Sequence, residues 1–128
     1  MTFFVFGNSV YNKDSSTLKV LPYLKKEFSN IKFVLCDPTE SWNRKEKNPI
    51  ILDTILGISD VAFFESLDKF FMRGKNITCH DYDLLMDLSL QKKLKKIESV
   101  RMIGLPVDFN LKTHVPQLAN IISKIKPN

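Results

Sequence analysis

Residues 48–57 read "NPIILDTILG". Asn48 is a good helix cap, Pro49 suits a first helical turn and Gly57 a helix stop, so the stretch reads as a short helix. That reading sets the count of everything around it. The apolar run after it, "DVAFF" (60–64), becomes the third strand, and Glu65 becomes the acid at that strand's end.

Upstream, "TFFVF" (2–6) is a short apolar run closed by Gly7-Asn8, as expected of a strand buried on both faces. A helix starts at Asp14 or Ser15 and carries Leu18, Leu21, Leu24 and Phe28 at helical spacing. "IKFVLC" (31–36) is a second strand that ends at Asp37-Pro38. Downstream, "NITC" (76–79) is a short fourth strand, and Asp81 caps a helix through Leu84, Leu85, Leu88, Leu90 and Leu94. "SVRMIGL" (99–105) is the last strand, and a final helix starts near Thr113 with Pro116 in its first turn. The expected fold is α/β over one domain, residues 1–128. It is a three-layer arrangement with a mainly parallel, twisted sheet of about five strands and helices on both faces.

The composition, 44% apolar and 26% charged, is that of an ordinary globular protein. No apolar run reaches the length needed to cross a bilayer and no leader pattern stands at the start, so a cytoplasmic protein without membrane insertion is expected. The net charge of +5 comes largely from "NRKEK", "QKKLKK" and the terminal "SKIKPN". Without aromatic residues interleaved among these, and without a nucleic-acid motif, no nucleic-acid partner is expected. Cys36 and Cys79 have no CxxC or CxxH spacing and read as buried reduced thiols. His114 reads as a surface residue.

In a parallel sheet of this kind ligands bind beyond the carboxyl ends of the strands. Asn8, Asp14, Asp37, Glu65, His80 and Asp108 each follow a strand. Asp14, Glu65 and His80 could converge on one divalent ion, two hard oxygens and one borderline nitrogen. Equally, Asp14 could be only a helix cap and Glu65 only a solvated strand end. P-loop, dinucleotide and nucleophile-elbow motifs are missing from the sequence.

The order of these segments resembles the hydrogenase maturation endopeptidases. "FFVFGNSVYNKDSSTLKVLPYL" is similar to their first strand, Gly-Asn loop and acid at a helix start. "FVLCDPTES" resembles their second strand, "DVAFFESLD" the third strand ending in an acid, "ITCHDYDLLMDL" the His-Asp helix start, and "ESVRMIGLPVDF" the last strand. The resemblance implies removal of a C-terminal extension from the large-subunit precursor of a nickel–iron hydrogenase. It implies a metal triad of Asp14, Glu65 and His80, with Asn8 and Asp37 as further binding positions. Nickel would be supplied by the precursor, so no permanently bound cofactor is implied. Lys13, Ser15 and Ser16 depart from the family's loop, and Glu65 is one methylene longer than its usual Asp. The alternative is a diverged, non-catalytic relative that binds metal or a partner.

Overall fold

The computed structural model describes residues 1–6, 16–37, 45–72, 78–79 and 82–125, the side chains of 78, 79, 82 and 83 excepted. Among these, β1 (Thr2–Phe6), β2 (Lys32–Cys36), β3 (Ile50–Leu56), β4 (Ala62–Phe64), β5 (Thr78–Cys79) and β6 (Arg101–Pro106) form one sheet. Its order is β2-β1-β3-β6-β4, with β5 also paired to β3. The helices are α1 (Ser16–Glu27), α2 (Leu67–Met72), α3 (Tyr82–Lys93) and α4 (Leu111–Lys124).

The stretch "IILDTIL" is therefore the central strand and not a helix. Its helix-like punctuation is outweighed by composition and length: Ile50, Ile51, Thr54 and Ile55 are β-branched, and seven residues are few for a helix. All but the last are buried, because parallel neighbours flank β3 and helices cover both its faces. Gly57, at φ 93°, ends the strand in the left-handed region where glycine is unstrained.

This correction changes the direction of the next strand. β1, β2, β3 and β6 are parallel, but β4 pairs antiparallel with β6, Ala62 against Gly104 and Phe64 against Met102. The start of β4 is clamped by α4: Val61 N–H donates to Gln117 Oε1 at 2.9 Å, and Gln117 Nε2 donates to Asp60 Oδ1 at 3.0 Å.

Alternation along the strands separates two cores. Phe3, Val5, Ile50, Leu52, Ile103 and Leu105 face α1 and α4, which contribute Val20, Leu24, Leu118 and Ile122. Phe4, Phe6, Ile51, Ile55, Phe64 and Met102 face α2 and α3, which contribute Phe70, Leu84 and Leu88. The three-layer α/β expectation holds, with six strands instead of about five. The last helix begins at Leu111, its N-cap Asn110 accepting from Thr113 N–H, so Pro116 stands beyond its first turn.

His114 is buried and not a surface residue. Its Nδ1 accepts from Asn110 N–H at 2.8 Å, which leaves Nε2–H to donate to the Ser59 carbonyl at 2.9 Å. The ring packs on Phe109 with centroids 5.4 Å apart. It joins the start of α4 to the turn before β4, on the same side as the Gln117 clamp.

Candidate functional site

The carboxyl ends of the parallel strands define one edge of the sheet. Thr17 Oγ1 donates to the Phe6 carbonyl at 2.9 Å, and Ser16 Oγ donates to the Pro106 carbonyl. These two hydroxyls seat the first turn of α1 across the ends of β1 and β6, so Phe6 and Ser16, the described residues on either side of 7–15, both stand at this edge.

The pairing of β3 makes an interval at the same place. β6 lines one side of β3 from Ile50 to Ile55, so β1 and β5 share the other side. β1 runs up that side as far as Leu52, and β5 enters from the opposite direction with Cys79 against Ile55. Between the two pairings stand Asp53 and Thr54. Both are buried, Asp53 only 1% exposed.

Asp53 alternates with Ile51 and Ile55 and so belongs to the face covered by α3. Its register partner across β6 is Gly104, and a Cβ there would stand 2.8 Å from Ile55 Cγ1 and closer still to Cδ1. The missing side chain of Gly104 thus lets Ile55 pack beside Asp53. A carboxylate inside an apolar sheet is costly unless charge or hydrogen bonds compensate it, and such a residue is a site candidate. On the opposite face, Thr54 Oγ1 is buried with no hydrogen-bond partner among the described residues.

The residues singled out from the sequence fall into three groups. Asn8, Asp14, His80 and Asp81 lie outside the described residues. Their described neighbours in sequence, Phe6, Ser16 and Cys79, all stand at the carboxyl edge. Asp37 follows β2 at that edge and is exposed. Glu65 is the correction. Because β4 is antiparallel, Glu65 comes at the amino ends of the parallel strands, where it lines a shallow pocket of about 390 Å³ with Phe63, Arg101 and Lys124. Arg101 starts β6 and Pro106 ends it, so Glu65 and Ser16 are separated by roughly 16 Å of strand. Glu65 does not join a cluster at the carboxyl edge. Among the described residues no group of three His, Cys, Asp or Glu side chains is placed to hold a metal.

Asp53 is the residue that sequence reasoning missed. In a helix, an acid between apolar residues reads as the solvated face and draws no attention. The available signal was the β-branched run around it, which as a strand buries the acid.

Cys36, at the end of β2, is half-buried, and desolvation raises its thiol from an ordinary 9.0 to about 11. It is a protonated thiol at neutral pH, not an activated nucleophile. No helix among the described residues is long and apolar enough to cross a membrane.

Among solved structures the chain is similar to the NiFe hydrogenase maturation protease HybD from Thermococcus kodakarensis. The two share 18% identity over 96% of this chain and 97% of that one, with a TM-score of 0.63. No family model matches the sequence, and no curated protein does.

Proposed function

We propose that this chain is a peptidase of the hydrogenase-maturation type. In this reading it removes the C-terminal extension of a nickel–iron hydrogenase large-subunit precursor and recognises the nickel already bound there. The observation that supports this best is the buried Asp53 in the interval between β1 and β5. It supplies the acid of the third parallel strand, the place that the family resemblance gave to Glu65. The set is then Asp14, Asp53 and His80, two hard oxygens and one imidazole suited to a borderline divalent ion. Asn8 and Asp37, which follow β1 and β2 in the sequence, are the further binding positions of this reading.

The nickel belongs to the substrate, and these three side chains complete its coordination when the precursor docks. The scissile peptide is thereby held beside a Lewis acid, and water is the attacking group. The described cysteine, Cys36, takes no part, consistent with its raised pKa. Both the HybD likeness and the buried acid in the central strand support a peptidase over an unrelated α/β domain, because buried carboxylates cluster at functional sites.

The test is intact-mass analysis of a large-subunit precursor incubated with the purified protein, nickel-loaded beside nickel-free. Shortening of the loaded form alone, lost in Asp53→Asn and retained in Glu65→Gln, is the expected result. Tight binding without shortening would instead make the chain a binding module. Shortening that ignores Asp53 would remove the site.

A further inference from the structure

α3 is apolar on two opposite sides. Leu84 and Leu88 face the sheet and are buried. Met86, Leu90 and Leu94, at i, i+4 and i+8, face outward and are each more than half exposed. Phe71 and Met72 at the end of α2 are also more than half exposed, and Phe71 lines a groove of about 600 Å³ with Met86 and Leu90. A row of this length on the outside of a helix is more than scattered surface apolarity and marks a contact surface.

The charges along the helix indicate what covers it. Asp81, Asp83 and Asp87 stand in or before its first half, and Lys92, Lys93, Lys95 and Lys96 follow in or after its last turn. Two of these, Asp87 and Lys93, line the groove itself. Asp87 is braced by Gln91, whose Nε2 donates to Oδ2 at 2.7 Å. The pattern is self-complementary about Leu90. A second α3 laid antiparallel on the first, with the two-fold axis at Leu90, sets Leu90 against Leu90, Met86 against Leu94, and Asp87 against Lys93. Every member of the row then meets an apolar partner and each groove charge meets its opposite. The antiparallel arrangement also brings the positive end of each helix dipole towards the negative end of the other. An unrelated partner would have to reproduce this pattern, whereas a second copy carries it by construction.

We propose that this chain forms a two-fold homodimer through α3, centred on Leu90 and flanked by Phe71. The surface lies on the outer side of α3, away from the carboxyl edge, and the proposal is independent of the peptidase reading. The test is sedimentation equilibrium over a concentration series for the wild type, Asp87→Lys, Lys93→Asp and the double swap, with far-UV circular dichroism confirming that each is folded. A reversible wild-type dimer is expected. Each single swap places two like-charge pairs in the interface and weakens the dimer by about tenfold or more. The double swap restores it, because the reversed pairs match again. A wild type that is monomeric at its highest soluble concentration overturns the proposal. So does a dimer indifferent to the single swaps, or one that the double swap fails to rescue.

Discussion

The two edges of this sheet carry similar residues on different plans. At the amino edge the chain is stitched to itself: Ser99 Oγ donates to Asn48 Oδ1 at 2.6 Å, Glu98 N–H to the Lys47 carbonyl at 2.7 Å, and Arg101 N–H to the Pro49 carbonyl at 3.1 Å. Glu65 stands there exposed, in water that solvates its charge. At the carboxyl edge two strands stop short of each other along β3, and the acid between them is buried. An acid at a strand end is ordinary where solvent reaches it. The same chemistry placed inside the central strand has to be compensated by charge or by hydrogen bonds.

The contrast between Asp53 and Glu65 gives the largest expected effect. Asp53→Asn keeps the shape and removes the charge, and under the proposed peptidase reading it lowers precursor processing by about a hundredfold or more, since Asp53 would there be a ligand and not an outer-shell partner. Glu65→Gln leaves processing within about twofold. Equal losses in the two variants would erase the distinction between the edges.

Gly104 sharpens the comparison from the neighbouring strand. Gly104→Ala forces its methyl into Ile55 beside Asp53, an overpacking that costs about 3 kcal/mol. Urea unfolding measures this, and a variant as stable as the wild type would show that β3 and β6 approach less closely.

The third test concerns the tie that turns β4 antiparallel and so sends Glu65 to the far edge. His114→Ala removes the hydrogen bond that joins α4 to the Ser59 carbonyl, together with the one from Asn110 N–H at the start of the helix, and costs about 2 kcal/mol. Thermal unfolding at neutral pH reads it, and an unchanged midpoint would mean that Gln117 alone holds the strand.

The smallest effect has the opposite sign. Lys95 ends α3 at φ 61°, with Lys96 N–H bonded to the Gln91 carbonyl and Lys95 N–H to the Lys92 carbonyl. That is the helix stop in which glycine is preferred, so Lys95→Gly stabilises by about 1 kcal/mol. No rise in the unfolding midpoint would show that the lysine makes up the strain elsewhere.

The alternation of apolar runs and helical spacing made most of the fold legible. Phe3 to Phe6 and Met102 to Leu105 are short apolar runs between turn residues, as buried strands are, while Leu21 and Leu24, and Leu84 and Leu88, recur at helical spacing. The central strand was not legible in that way. Asn48, Pro49 and Gly57 are local signals that suit either element, and only the pairing of Ile50 with Phe3 and Arg101, 47 and 51 residues away along the chain, settles it. The error then carried into the site. Counting one strand too few made Glu65 the third acid and hid Asp53. The direction of β4 was equally beyond local reading, because Gln117 and His114 fix it from the last helix.

One consequence follows from β4 itself. β6 contributes Met102, Ile103, Gly104 and Leu105, and without β4 its outer backbone would be an uncovered row of donors and acceptors beside apolar side chains. A strand of only three residues covers it, held at its start by two side chains of α4. Loosening that hold uncovers a ready template for strand addition while the remaining core stays folded. Damage to the α4 clamp should therefore appear first as aggregation, with turbidity rising at temperatures below the cooperative unfolding transition.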